Sequence, residues 1–459
     1  MLSKALLKEL RSIAGRQDVL TAAGDLVAYS YDATQRQSLP EAVVFVTSTA
    51  QVSAVLRAAC RHRVAVVPRG AGTNLSGGSL SIRGGIVLEL SRMNRILEID
   101  TANRRAVVQP GVINLDLQNT LARLGFMYAP DPASQKTCTL GGNLAEDSGG
   151  PHCLKYGVTS NHILGMELVL PDGEVVDIGG ATADTPGYDL VGLLVGSEGT
   201  LGVATRITVR IMPLPEAYRT LLAAFDTLED AGQAVSEIVA AGIIPGSLEL
   251  MDRTVLRAVE ESFHAGYPVD AEAALIIELD GLEDSLERQA QRVTEICHSN
   301  RVRLVHLAQT AAERDALWQG RRGAFGAVAR LRPAYIVEDG TVPRTRLVEM
   351  LRRVAQIARN HGLCIGNVAH AGDGNLHPLI LFDPADAAER ARVEQAGREI
   401  LAACVELGGT LSGEHGIGLQ KQDCMSLMFT PDEINLMRAI KHTLDPNDLM
   451  NPGKVLPPL

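Results

Sequence analysis

The segment Pro68-Arg69-Gly70-Ala71-Gly72-Thr73-Asn74-Leu75-Ser76-Gly77-Gly78 follows directly on the apolar run RVAVV (63–67). Glycines let a backbone approach a ligand closely and present consecutive N–H donors, which suits a pyrophosphate. No Lys-Ser or Lys-Thr follows, so this is not a Walker loop, and the spacing departs from the Rossmann fingerprint. Taken alone, such a segment is equally a plain tight turn. Two further loops of the same kind lie downstream. One is Asp131-Pro132-Ala133-Ser134 with Thr137, continuing through Thr139-Leu140-Gly141-Gly142-Asn143-Leu144-Ala145 to Ser148-Gly149-Gly150. The other is Gly196-Ser197-Glu198-Gly199-Thr200-Leu201-Gly202. Three glycine loops in one region predict an extended, phosphate-bearing ligand.

Around these loops, from 38 to 216, short apolar runs read as strands: AVVFVT, RVAVVP, GIVLEL, RAVVQPG, MELVLPDGEVVDI and RITVRIMPLP. ELVL-PDG-EVVDI is a hairpin, because Pro and Asp-Gly fit a tight turn. TAQVSAVLRAACRHR and NLDLQNTLARLG read as amphipathic helices between strands. After Pro213 and Pro215 the pattern changes. TLLAAF, the helix through LEDAGQAVSEIVAAG and SLELMD form a strand–helix–strand word, which ALIIELDG, SLERQAQRVTEICHSN and RLVHLAQ repeat. Two such words predict a ferredoxin-like antiparallel sheet with helices on one face. A third pass brings a helix near 344–360 and the strands GNVAH and HPLILF. The expected organisation is an α+β chain: an N-terminal helical segment (1–37), a ligand-binding domain (38–216), a substrate or cap domain (217–411) and a C-terminal segment (412–459) that returns to the ligand.

A chain of 459 residues suits two large domains or about three of roughly 150 residues. Hydrophobic residues at 46% and charged residues at 21% exclude a disordered chain. A net charge of −11 and only 3% aromatics argue against nucleic acid as a partner. The seven cysteines (60, 138, 153, 297, 364, 404 and 424) are dispersed without a Cys-x-x-Cys pair, which fits reduced thiols and excludes a conventional cysteine-ligated cluster in this chain. No apolar run reaches the ~18 residues of a transmembrane segment. Leu2, Leu6, Leu10 and Ile13 fall on one stripe of an N-terminal helix interrupted by charges, so it docks on a core and is not a signal peptide. These features place the chain in the cytoplasm.

RGAGTNLSGG, DPAS, GGNLAEDSGG, Tyr156-Gly157, GSEGTLG and Asn451-Pro452-Gly453 resemble, in order and spacing, the vanillyl-alcohol-oxidase (p-cresol methylhydroxylase, PCMH-type) FAD-binding fold over essentially the whole chain. Within it the chain is most similar to the group that contains the FAD-linked subunit of glycolate oxidase, D-lactate dehydrogenase and D-2-hydroxyglutarate dehydrogenase. The resemblance implies that the first two loops cradle the FAD pyrophosphate and edge the flavin. The implied contacts are Pro68, Arg69, Gly70, Ala71, Gly72, Thr73, Asn74, Gly77 and Gly78, then Pro132, Ser134, Thr137, Gly141, Gly142, Asn143, Ala145, Ser148 and Gly149, and finally Tyr156, Gly157, Glu198, Gly199 and Asn451. Covalently flavinylated members carry a His where Thr73 stands, so a dissociable FAD is expected.

A second constellation is His370-Ala371-Gly372-Asp373-Gly374-Asn375-Leu376-His377, which joins the strands GNVAH and HPLILF. Asp-Gly and Gly-Asn make the reversal, so two imidazoles can face each other across a hairpin neck and ligate one divalent metal. Glu414, in Ser412-Gly413-Glu414-His415-Gly416, completes a two-His, one-carboxylate set suited to zinc, manganese or ferrous iron. Asp373 and Asn375 either orient the imidazoles or are turn residues only. His152, His162, His264 and His306 have no partner motif and read as structural, and Met and Leu at helical spacing near the C-terminus read as core.

The resemblance assigns His415 as the base. A 2-hydroxy acid chelates a metal through its carboxylate and hydroxyl, His415 takes the hydroxyl proton, and the α-hydrogen leaves as hydride to FAD. Arg321 is the expected carboxylate clamp, with Arg322 the runner-up. The diacid enzymes of the family carry a Lys about where Val337 stands. With Val337 in its place, and with Glu338 and Asp339 repelling a second carboxylate, a short monoacid such as glycolate or D-lactate is favoured over 2-hydroxyglutarate. Electrons then pass to a partner, by resemblance a second flavin subunit and an iron–sulfur subunit that could hold the chain at the inner membrane. The alternative is a free-standing D-lactate (or D-2-hydroxyglutarate) dehydrogenase that uses quinone or cytochrome.

Overall fold

The computed structural model describes residues 2–182 and 186–458. The chain divides into two compact units: Met1–Gly149, Gly157–Leu214 and Glu414–Leu459 in the first, Gly150–Tyr156 and Pro215–Gly413 in the second.

The first unit contains two main sheets. In the smaller, Ala42–Phe45, Ile86–Glu89 and Val66–Arg69 lie side by side in parallel, with Val19–Leu20 antiparallel at one edge. Val43, Val44, Val66, Val67, Val87 and Leu88 are buried on both faces, which is why these strands read as continuous apolar runs and not as alternations. Helix Thr49–His62 connects two of them. Ser48 caps its start by accepting from the Gln51 N–H, and Val52, Val55, Leu56 and Ala59 form its buried stripe. Helix Lys4–Ala14 packs Leu6 and Leu10, with Leu2 and Ile13, into the same core, as its stripe predicts. The larger sheet is antiparallel, in the order Ile96–Asp100, Arg105–Val108, Val203–Arg210, Ile163–Val169, Val175–Gly179. The last two strands are the expected hairpin, with Val169 opposite Val175. Val203–Arg210 buries every second residue, so one face of this sheet is the core.

The second unit is built on a seven-stranded antiparallel sheet. Four strands run in the order Leu304–Leu307, Ala217–Phe225, Ala273–Gly281, Ser247–Asp252, which is the ferredoxin-like arrangement of the two repeated words. Cys364–His370, Asn375–Phe382 and Ala334–Val337 extend it. Leu221, Ala223, Leu248, Leu250, Leu275, Ile277, Ala369 and Ile380 face helices Leu228–Ala240, Glu283–Ser299, Leu347–His361 and Ala387–Glu406. The opposite face is covered as well: Leu222, Ile276, Met251, Val368 and Leu379 pack under helices Arg253–Phe263, Ala311–Arg322 and Ala324–Val328. Helices therefore lie on both faces of this sheet, not on one.

Residues 150–156 also depart from the expected boundary. They lie within the stretch read as ligand-binding domain but pack with the second unit. Lys155 Nζ donates to the backbone and the carboxylate of Asp280, the Tyr156 hydroxyl donates to Asp280, and His152 stands 3.7 Å from Glu278. Near the C-terminus, Met425 and Met450 are buried and Leu444 packs against a core, but helix Pro431–Leu444 leaves Leu436 64% exposed, so the Met and Leu positions there are core only in part.

Candidate functional site

In the first unit the glycine loops are held by their own side chains. The buried Arg69 guanidinium donates to the Tyr31 carbonyl (2.9 Å) and Ser79 Oγ (3.2 Å) and lies 4.0 Å from Glu89. Asn74 Nδ2 donates to Asp32 (3.0 Å), and its Oδ1 accepts from Ser79 (2.8 Å). The side chains of Arg69 and Asn74 thus fix the loop, while Gly70, Ala71, Gly72 and Thr73 remain at least partly exposed. Asn451 is a staple: its Nδ2 donates to the carbonyls of Gly78 and Glu198, 2.8 Å each. Lys454, buried beside it, donates to the Leu80 carbonyl and to Asn451. Burial pulls its pKa down to about 8 against the upward pull of Glu198, Asp32 and Glu146. The helix Leu140–Glu146 opens with Thr139 accepting from Gly142 N–H, which leaves Gly141 and Gly142 half-buried at its start. Among the described residues, Asn143 Nδ2 is buried with no hydrogen-bond partner other than the weak acceptor Cys138 can offer. Exposed loop backbone next to such a donor fits a phosphate-bearing cofactor.

Glu198 and Tyr156 were expected as cofactor contacts, but both side chains are engaged within the protein. Glu198 Oε1 accepts from the backbone N–H groups of Ile417 (2.7 Å) and Gly418 (3.1 Å), and Tyr156 is on Asp280. Burial raises the Glu198 carboxyl. Glu146 is pushed well above the ordinary range, first by burial and then by Glu198. A Cβ at Gly416 (φ +84°) would lie 2.6 Å from Glu146 Oε2 and 2.8 Å from Glu198 Oε1, so only glycine passes this carboxyl pair. The pair anchors the turn that carries Glu414 and His415. Those neighbours sit on irregular backbone, and their side chains approach to 3.8 Å, as a Glu-His pair between glycines requires.

In the second unit, His370 and His377 lie on one face of the hairpin Cys364–His370/Asn375–Phe382, in the registers His370↔Asn375 and Val368↔His377. Their rings are 4.9 Å apart at 84°, and both are buried (7% and 2% exposed). Behind His370 stands Glu249, its direct partner on the neighbouring strand, with His370 Nδ1 at 2.8 and 2.9 Å from the two carboxylate oxygens. Behind His377 stands Asp339, 3.7 Å from Nδ1. With each Nδ1 turned to a carboxylate, both Nε2 atoms suit a shared divalent ion. Asp339 also accepts from Asn375 Nδ2 (2.7 Å), Ser412 Oγ (2.7 Å) and Gly413 N–H (3.1 Å), and Glu414 follows Gly413 in the chain. Asn375 is therefore more than a turn residue.

Arg321 is buried in the last turn of helix Ala311–Arg322 and forms an ion pair with Glu249, while its Nε has no hydrogen-bond partner among the described residues. Burial would raise the Glu249 carboxyl, but the charges of Arg321 and His370 outweigh it and hold it below the ordinary range. Arg322 lies over the Trp318 ring instead. Val337 is buried in the apolar cluster with Leu379 and Trp318. Glu338 points at helix Ala387–Glu406, where a Cβ at Gly397 would meet its carboxylate at 2.5 Å, so it lies on the sheet face opposite the imidazoles. Of the two acids expected to repel a second carboxylate, only Asp339 is on the imidazole side. Sequence reasoning missed Glu249. Its one signal was a Glu in phase with the buried positions of SLELMD.

Two family models match this chain: "FAD binding domain" over residues 40–179 and "FAD linked oxidases, C-terminal domain" over residues 214–455. The glycolate oxidase subunit GlcD of Escherichia coli strain K12 is 46% identical over 456 residues, covering 99% of this chain and 91% of that protein. The D-lactate dehydrogenase of Archaeoglobus fulgidus is 36% identical, covering 94% and 95%. The solved structure of p-cresol methylhydroxylase with substrate bound aligns with a TM-score of 0.81 at 18% identity, covering 98% of this chain and 96% of that one, which establishes the fold.

Proposed function

The chain belongs to the family of FAD-linked oxidases, and on that premise we propose that it oxidises a short 2-hydroxy acid, glycolate or D-lactate, to the 2-oxo acid. The observation that carries this reading is the pair of buried imidazoles, His370 and His377, beside Arg321 on one face of the sheet. FAD, when bound, supplies the two-electron acceptor for the α-hydrogen of the substrate. A divalent ion held by His370, His377 and Glu414 supplies Lewis acidity toward the substrate hydroxyl.

Arg321 takes the substrate carboxylate, for which its free Nε and fork geometry suit it. His415 accepts the hydroxyl proton, a task for an imidazole whose ordinary pKa is about 6.5. Backbone amides of Gly70 to Thr73 and of Gly141 and Gly142, with Asn143 Nδ2, bind the cofactor phosphates. The cofactor is non-covalent, since Thr73 offers no imidazole for a flavin linkage. Val337 closes the place where a lysine would hold a second carboxylate, which favours a monoacid.

Electrons leave through a partner. Kinship to a protein named as an oxidase subunit supports companion subunits, which the family resemblance makes a second flavin subunit and an iron–sulfur subunit. Kinship to D-lactate dehydrogenases supports the second reading, a stand-alone enzyme that uses quinone or cytochrome. No helix among the described residues is long and apolar enough to cross a membrane, and we place the chain in the cytoplasm, at the inner membrane only through partners.

The test is anaerobic mixing of the yellow protein with glycolate, D-lactate or L-lactate. Bleaching of the visible flavin band by glycolate or D-lactate is expected, and in His415→Ala the FAD should remain while bleaching is lost. If no hydroxy acid bleaches the parent protein, the reading fails.

A further inference from the structure

Glu249 has no place in the roles assigned above, yet it is a fully enclosed charge on the imidazole face, with a side chain 0% exposed. It sits mid-strand in Ser247–Asp252, and three independent groups converge on it. Its direct cross-strand partner is His370, whose Nδ1 meets both carboxylate oxygens at 2.8 and 2.9 Å. From the helix above, the buried Arg321 pairs with the same carboxylate. Along its own strand, Ser247 Oγ donates to it at 3.3 Å.

This geometry has two consequences. A carboxylate is acceptor-only, so the proton on His370 must sit on Nδ1, and the lone pair is left on Nε2. A guanidinium has five donors, and a single counter-ion leaves some of them unused; the Nε of Arg321 is one. The arginine is thus held in place and charge-balanced before any substrate carboxylate arrives.

We propose that Glu249 is a positioning residue that presents His370 Nε2 to the metal and Arg321 to the substrate from a single buried carboxylate. The proposal rests on the functional reading above and adds to it that the metal ligand and the substrate clamp share one anchor. Losing Glu249 should weaken the metal site even though Glu249 touches neither metal nor substrate. Losing Arg321 should spare the metal site, because the bond from His370 to Glu249 survives.

The experiment measures the zinc dissociation constant of the flavin-loaded protein by competition with a chelator. It compares the parent, Glu249→Gln and Arg321→Met, with flavin content and thermal midpoint recorded for each. Glu249→Gln is expected to bind zinc on the order of 10- to 100-fold more weakly, the usual cost of losing a ligand's hydrogen-bonding partner. Arg321→Met should stay within about threefold of the parent, well inside that range. A Glu249→Gln protein with full flavin and unchanged zinc affinity would overturn the proposal while leaving the functional reading intact. A parent that binds no zinc, manganese or iron would remove the metal reading itself. Should Glu249→Gln fail to hold flavin, a zinc-loaded crystal of the parent decides: ligation by His370 Nε2 with Nδ1 on Glu249 upholds the proposal, and ligation through Nδ1 refutes it.

Discussion

Gly374→Ala, in the turn between the two imidazoles, is the sharpest test of how the hairpin sets their spacing. Gly374 has φ +86°, and a Cβ there would lie 2.0 Å from the Val342 carbonyl oxygen, a backbone atom that cannot swing aside. The same two residues are joined by a hydrogen bond from Val342 N–H to the Gly374 carbonyl (3.0 Å), so any shift that relieves the clash strains that bond. The left-handed backbone costs about 1–2 kcal/mol, overpacking about 1–3 and a weakened hydrogen bond about 1, which totals roughly 3–6 kcal/mol. Gly362, which ends helix Leu347–His361, is the matched control. Its φ is +62°, and an added Cβ meets nothing within 4 Å, so Gly362→Ala should cost only about 1 kcal/mol. At about 2–4 °C per kcal/mol for a unit of this size, the control should melt a few degrees below the parent and Gly374→Ala on the order of 10 °C below it. Circular dichroism melts of the flavin-loaded proteins, with zinc stoichiometry, provide the measurement. Gly374→Ala should also lose zinc, because His370 and His377 stand at the two ends of the displaced turn. Equal melting temperatures for the two variants, with full zinc in both, would show that the turn does not control the pair.

Two further outcomes follow from buried groups. Glu278 accepts from Thr220, Trp318 and the Nε and Nη2 of Arg314, at 2.6–2.8 Å. Burial alone would raise its pKa, but the nearby His152 imidazole and the hydrogen bonds and charge of Arg314 hold it far below the carboxylate range. A depressed folded pKa stabilises fully above the unfolded value of about 4.3 and loses that contribution as pH falls toward the folded value. Glu278→Gln should therefore lose about 3–5 kcal/mol at pH 7 and show a shallower decline between pH 4 and 3 in urea titrations; a parent-like acid slope would contradict this. Asn451→Ala leaves the buried carbonyls of Gly78 and Glu198 without their donor, at about 1–3 kcal/mol each, and should release FAD on dilution at concentrations where the parent stays yellow; fluorescence of released flavin reads the difference.

What the sequence made legible was local. The glycine loops, the strand–helix–strand words and the hairpin bearing His370 and His377 each lie within a few residues of the turn chemistry that specifies them. What stayed hidden depends on partners far apart in the chain. Glu249 and His370 are 121 residues apart, and no spacing rule links them. Segment 150–156 follows a glycine loop and was read with it, but Asp280, 125 residues on, holds its Lys155. Leu436 and Ile434 look alike as apolar letters on one helix, yet only Ile434 is buried. Glu338 and Asp339 are adjacent acids whose side chains leave opposite faces of a sheet, a distinction that requires knowing where the strand ends.

The second unit shows why such partners matter to the chemistry. Register places Thr220, Glu278, Ser247, Glu249, His370 and Asn375 in a row across five strands, Thr220 opposite Glu278, Glu278 opposite Ser247 and Glu249 opposite His370. A polar row through an apolar sheet is costly unless each member is bonded. The helix Ala311–Arg322 meets that demand with Arg314, Trp318 and Arg321, spaced four and three residues apart and so on one face, set over Glu278 and Glu249. The contacts that dock this helix are the ones that aim Arg321, whose partner Glu249 also holds His370 Nδ1. Stability and site geometry are therefore held by the same bonds. A variant that loosens the helix without touching the imidazoles, such as Arg314→Met, should lower stability and weaken substrate binding together while zinc affinity stays near the parent's, whereas an equally destabilising change in the core on the opposite face, such as Leu250→Ala, should lower stability alone.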